Sequence, residues 1–142
     1  MRRRDFLVFG SPMIEQPEID EVVASMKSGW LGTGPKVALF EEMFSKYKSC
    51  RYAMAVNSCT AALHVSMLAI GIQPGDEVIV PAMTFTATAS AVIHAGGVPV
   101  LVDCQKDTMN MDPVDVERKI TAKTKAIIPV HFAGRPCDMD SI

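Results

Sequence analysis

The sequence predicts an α/β fold: three αβα layers around a mainly parallel sheet. Two observations carry this. Short Val- and Ile-rich strands alternate with helical segments along residues 51–142. The strands are also continuously apolar instead of alternating, as expected when helices cover both faces of a sheet. No internal repeat, low-complexity tract or obvious linker interrupts the pattern.

The elements follow in chain order. Asp20 to Lys27 reads as a helix, with Ile19, Val22, Val23 and Met26 at helical spacing, acids leading, Lys27 in the last turn and Gly29 as the stop. A second helix opens at Pro35 and places Phe40, Met43, Phe44 and Tyr47 on one face. Tyr52–Val56 reads as a strand, followed by a helix from Ala61 to about Ile70. Pro74-Gly75-Asp76 marks a turn into a strand at Glu77–Val80. Thr84 to His94 is helical, and Ala95-Gly96-Gly97 ends it. Val98–Val102 is the next strand, Asp112–Ile120 a short helix with Pro113 at its first position, and Lys125–Val130 the last strand.

Composition bounds the function. The net charge of −2 gives no electrostatic reason to expect a nucleic acid or an anionic membrane as partner. No apolar run reaches the eighteen or so residues of a membrane span. The start, MRRRDFLVFG, has too short an apolar run for a secretory signal. Cys50, Cys59, Cys104 and Cys137 lie 9, 45 and 33 residues apart with no C-x-x-C pair. That spacing argues against a metal knuckle or a disulfide scaffold and fits a reducing compartment. A soluble, cytoplasmic protein is expected.

The most informative stretch is Arg51–Ala62. An apolar strand runs into the small polar turn Asn57-Ser58-Cys59-Thr60, which opens a helix. The first N–H groups of that helix lack internal acceptors, and the macrodipole adds partial positive charge there. A phosphate can take hydrogen bonds from those N–H groups and from the Ser58 and Thr60 hydroxyls. The alternative is a capped helix with Ser58 as N-cap and nothing bound. Ligands of parallel sheets sit at the carboxyl ends of the strands. Three polar turns occupy those ends: Asn57–Thr60, Thr84–Thr86 and His131–Arg135. The chain has no G-x-G-x-x-G after the first strand, no P-loop and no G-x-S-x-G elbow.

These pieces together resemble the DegT/DnrJ/StrS family of pyridoxal-phosphate-dependent nucleotide-sugar aminotransferases, within the aspartate-aminotransferase fold (fold type I). The resemblance runs from about Phe9 to the last residue. It is carried by Ser28–Pro35 (SGWLGTGP), Asn57–His64 (NSCTAALH), Gly75–Pro81 (GDEVIVP), Thr84–Ala89 (TFTATA) and Thr124–His131 (TKAIIPVH). It implies that Cys59 and Thr60 hold the phosphate of pyridoxal 5'-phosphate and that Phe85 stacks on its ring. It further implies that Phe9 and Gly29, Trp30, Leu31 and Gly32 line the sugar-nucleotide side of the pocket, completed across a homodimer interface. Cys59 matches a position for a small residue, so its size matters more than its thiol. His64 reads as structural, His131 equally as substrate contact or local hydrogen-bond partner, and Trp30 as pocket wall or interface anchor. The alternative for Phe85 is a core residue under a loop.

The resemblance also implies what lies elsewhere. The Schiff-base lysine, the acid facing the pyridinium nitrogen and further substrate contacts are expected beyond Ile142. No catalytic residue and no metal ligand is therefore assigned within the chain. The chain is expected to be the N-terminal portion of the large domain, with a helical segment at 1–50 and alternating strands and helices at 51–142. The rest of that domain and the small C-terminal domain are expected to be absent, and the 142-residue chain inactive by itself. The complete enzyme would move an amino group from glutamate or glutamine to a keto sugar on a nucleotide, in cell-surface polysaccharide or amino-sugar biosynthesis. Two alternatives stay open: a truncated, non-catalytic family fragment, or a dehydratase of the same family with histidine in place of the lysine.

Overall fold

A computed structural model of the chain describes residues 10–142. They fall into two compact units, the first ending at Ala55 and the second running Val56–Ile142.

The first unit holds α1 (Gln16–Ser28) and α2 (Pro35–Lys48). α1 starts four residues before the expected Asp20, because Pro17 fits the first turn, where its missing N–H costs nothing. Glu18 Oε2 also accepts the N–H of Glu15 at 2.8 Å, the reach-back bond of a capping box. Gly29, at φ +73°, stops the helix where predicted. α2 opens at Pro35 as expected. The Lys36 ammonium joins the two segments by pairing with the Glu21 carboxylate and donating to the Glu21 carbonyl at 3.0 Å. The apolar stripes identify the helices correctly, yet no residue of α1 or α2 is buried. Met26, Phe40 and Tyr47 are 65%, 57% and 83% exposed.

Tyr52–Val56, expected as a strand, is not one. A strand is defined by its ladder, and these residues pair with no other segment among the described residues. The Ala55 N–H instead donates to the Glu41 carboxylate at 2.8 Å.

The second unit is built on a parallel sheet of β1 (Glu77–Pro81), β2 (Val98–Val102) and β3 (Thr124–Ile127), in the order β2-β1-β3. Glu77 to Pro81 pair in register with Val98 to Val102. Val78 and Ile79 face Ala126 and Ile127. β1 sits in the middle, with Val78, Ile79 and Val80 wholly buried. The two-residue period sends Val78 and Val80 to one face and Ile79 to the other. On the first face they meet Met67 of α3 (Cys59–Ala69) and Ala91 and Val92 of α4 (Ala87–His94). On the second, Ile79 meets Val102, Met111 and Val116 of α5 (Pro113–Lys119). These are the three layers the sequence predicted.

Gly97 shows how closely the first layer packs. A Cβ there would lie 2.7 Å from Ile72 Cγ2 and 3.1 Å from Val92 Cγ1. Ile72 follows the end of α3 and Gly97 follows the end of α4, so the two helices run in the same direction. α4 starts at Ala87, three residues after the expected Thr84, and Thr84 Oγ1 bonds Thr88 Oγ1 at 2.8 Å, bracing the turn that precedes the helix. β3 ends at Ile127 and not Val130, although the Ile128 N–H still reaches Ile79 O at 2.9 Å.

α5 is fixed at both ends. The Asp112 carboxylate caps it by accepting the Val114 N–H at 3.1 Å. Asp115, only 3% exposed, accepts the Asp103 N–H at 2.8 Å, lies 3.1 Å from the Lys119 ammonium and pairs with Arg118. Lys119 also donates to Leu101 O on β2 at 2.6 Å.

The Asp103 N–H, then the Lys119 and Arg118 cations, hold the Asp115 carboxyl down at about 2 from its ordinary 3.8. A depressed folded-state value stabilises the fold above the unfolded one and loses that contribution as the group protonates. The melting-temperature gap between the parent chain and Asp115→Asn should therefore be constant above pH 3.8 and close as pH falls toward about 2. A gap that persists unchanged at pH 2 would separate Asp115 from the acid response.

Candidate functional site

β1 and β3 are parallel neighbours, so the loops leaving their carboxyl ends share one edge of the second unit. The first loop leads from Pro81 through Phe85 into α4, and the second contains His131. α3 runs in the same direction as α4, which turns its N-terminus toward that edge as well. The topology thus brings the three predicted polar turns to one side of the sheet.

At the start of α3, Ser58 is the N-cap. Its Oγ accepts the Ala61 N–H at 3.1 Å, and its carbonyl accepts the Ala62 N–H at 3.0 Å. The capping reading of Ser58 is therefore correct, and its hydroxyl oxygen is engaged. Capping does not use up the helix end, however. Among the described residues nothing accepts a bond from the N–H groups of Cys59 or Thr60, and the Thr60 hydroxyl has no partner. Both side chains are exposed. Two aligned N–H donors, a hydroxyl and the positive end of the helix dipole suit one phosphate group.

Phe85 is 76% exposed, which removes the reading of it as a core residue. The Thr84–Thr88 hydroxyl bond and the Thr88 N–H to Phe85 O bond (3.1 Å) brace the backbone that displays its ring. His64 lies against His94, ring centroids 5.8 Å apart and edge to face, a contact that ties α3 to α4.

Within the first unit, Trp30, Leu31 and Gly32 line a hollow of about 440 Å³ together with Ser25, Ser28 and Lys36. Gly29 precedes it as the stop of α1. Trp30 Nε1 donates to Thr33 O at 2.9 Å, and the indole lies so close to Gly34 that a Cβ there would sit 2.0 Å from Nε1. Phe9 lies outside the described residues.

Nothing in the sequence pattern points to Asn110. It is 3% exposed, and its amide bonds three backbone groups of the loop after β3. An isolated Asn between a short strand and a helix carries no periodic signal, so only the fold reveals it. Among the described residues no three His, Cys, Asp or Glu side chains gather to hold a metal, and no helix is long and apolar enough to cross a membrane.

The fold recurs in known proteins. The DegT/DnrJ/EryC1/StrS aminotransferase family matches residues 12–142. The spore coat polysaccharide biosynthesis protein SpsC of Bacillus subtilis is 49% identical over 99% of this chain, which corresponds to 36% of SpsC. Among solved structures, Spr1654 of Streptococcus pneumoniae, assigned as a sugar aminotransferase and solved in its PLP form, superposes with a TM-score of 0.87. It is 47% identical, over 95% of this chain and 34% of that one. NtdA of Bacillus subtilis, solved with bound PMP, superposes at 0.82 with 40% identity, over 91% of this chain and 31% of its own. The chain therefore spans about a third of the length of these relatives.

Gly34→Ala should push the indole off Thr33 O and change the emission of Trp30, the single tryptophan of the chain. Because the displaced atoms belong to an exposed side chain, the stability cost should stay within about 1 kcal/mol. An unchanged emission spectrum would show that the indole does not rest on Gly34.

Proposed function

The chain belongs to the DegT/DnrJ/EryC1/StrS aminotransferase family, and on that premise we propose that it is the N-terminal part of the large domain of a nucleotide-sugar aminotransferase. The observation that carries this reading is the start of α3, where two N–H donors and a hydroxyl have no partner among the described residues after Ser58 has capped the helix. Those residues fit pyridoxal 5'-phosphate. Cys59 and Thr60 would hold its phosphate through their N–H groups and the Thr60 hydroxyl, and a bulky side chain at position 59 would crowd the approach. Phe85 would cover one face of the pyridine ring with its exposed aromatic surface. When bound, the cofactor supplies the electron sink through which an amino group passes between amino acid and keto sugar.

The hollow at Trp30, Leu31 and Gly32 would take part of the nucleotide sugar, with Gly29 setting the chain's course into it. Phe9 would add to the same side. Glutamate or glutamine would be the amino donor, the working assembly a homodimer and its compartment the cytoplasm. The residue that carries the proton between donor and acceptor is assigned to no position of this chain, so the reaction belongs to the complete protein.

A hybrid tests this reading directly: the present chain replaces the matching third of the pneumococcal relative. The hybrid should load pyridoxal 5'-phosphate and transfer nitrogen from glutamate or glutamine to a keto nucleotide sugar. Thr60→Ala in it should weaken cofactor binding by about 1.5–3 kcal/mol, the range for a hydrogen bond to a charged group, while Thr60→Ser should be nearly silent. A folded hybrid that binds no cofactor would sink the proposal, and unchanged affinity in Thr60→Ala would reduce α3 to a capped helix.

A further inference from the structure

The loop that follows β3 is held more firmly than a connection between elements requires. Asn110 Nδ2 donates to Arg135 O at 3.1 Å and to Pro136 O at 2.9 Å, while its Oδ1 accepts the Phe132 N–H at 2.9 Å. One buried amide thereby clasps both ends of the turn. The turn itself contains Ala133 at φ +50°, a left-handed conformation that a residue with a Cβ adopts at some cost, next to Gly134 at φ +83°. Strained backbone of this kind persists where the surroundings over-determine it.

The clasped turn displays two donors. His131 is exposed, yet one of its ring nitrogens is engaged: Nδ1 accepts the Cys137 N–H at 3.0 Å. That bond assigns the ring hydrogen to Nε2, which has no partner among the described residues. Arg135, also exposed, spends one N–H on Asp107 O at 3.3 Å and keeps the rest of its guanidinium donors. The nearest following carboxylate, Asp138, accepts the Ser141 hydroxyl at 2.6 Å. A fixed N–H donor and a cation share one turn, at the same sheet edge as the phosphate-ready start of α3.

We propose that the turn His131–Arg135 binds a phosphate oxygen of the ligand through His131 Nε2–H and Arg135, and that Asn110 is its positioning residue. This rests on the reading that the ligand site lies at the carboxyl edge of the sheet. The phosphate oxygen belongs either to the cofactor or to the diphosphate of the nucleotide sugar. A purely structural turn would need Asn110 and the Nδ1 bond, but not the outward Nε2–H, and this difference separates the two roles.

The test uses the 142-residue chain, with His131 ring nitrogens and backbone amides followed by nitrogen-15 NMR. Pyridoxal 5'-phosphate and uridine diphosphate are titrated separately. His131 should show the Nε2–H tautomer, and its Nε2 signal should move with one of the two ligands, which identifies the source of the phosphate. His131→Asn retains an acceptor for the Cys137 N–H but ends short of the Nε2 position, and it should weaken that binding about tenfold. His131→Gln, which keeps an outer donor, should bind close to the parent. Asn110→Ala should lose the binding and broaden the His131 signal. If Asn110→Ala fails to fold, the exposed His131 variants still decide the matter. A His131 signal indifferent to both ligands, or full affinity in His131→Asn, overturns the proposal. The amides of Cys59 and Thr60 report separately on the parent reading through their response to pyridoxal 5'-phosphate.

Discussion

Everything ordered in the second unit depends on β1 having no face open to water. Val78 and Val80 point into the layer of α3 and α4, Ile79 points into the layer of α5, and all three are fully buried. Burying an aliphatic side chain of this size stabilises by roughly 1.5–3 kcal/mol, and here both sides of one five-residue strand contribute. That two-sided burial forces helices onto both faces and ties the connecting loops to the two ends of the strands. The polar turns gather at one edge because parallel strands must all end there.

The electrostatic and hydrogen-bonded parts of the structure are arranged around this apolar centre. Asp115, Lys119 and Arg118 anchor α5 below the sheet, and Asn110 clasps the turn after β3. Both Asp115 and Asn110 are buried polar residues whose every partner is in place, and no buried side-chain polar atom is left unbonded among the described residues. Buried polar groups satisfied in this way rigidify what they touch. The start of α3 contrasts with them. Its cap is complete, but among the described residues its first N–H groups have no acceptor.

Features with a period or a fixed turn chemistry were legible in the sequence. Pro35 and Pro113 mark helix starts, Gly29 marks a stop, and the strands Glu77–Val80 and Val98–Val102 are bounded nearly to the residue. The polar turns at Phe85 and His131 were also found, because strand ends in an α/β pattern locate them, and the turn at Thr60 because its small polar residues open a helix. Properties that depend on distant partners were not legible. Tyr52–Val56 has the composition of a strand but pairs with no other segment among the described residues. The apolar stripes of α1 and α2 have the period of a buried face and are exposed. Asn110 acts on groups 22 to 26 residues away, a separation at which local pattern says nothing.

The outer edge of β2 carries one more consequence. The Val98 N–H points inward to Asp76 O, so alternation turns the backbone groups of residues 99 and 101 away from β1. At position 99 stands a proline, which has no N–H to offer, and at 101 the carbonyl is already taken by Lys119. An incoming strand would meet a missing donor followed by an occupied acceptor, the defence that natural sheets mount against edge-to-edge aggregation. The margin along β2 is therefore poorly suited to the addition of another strand.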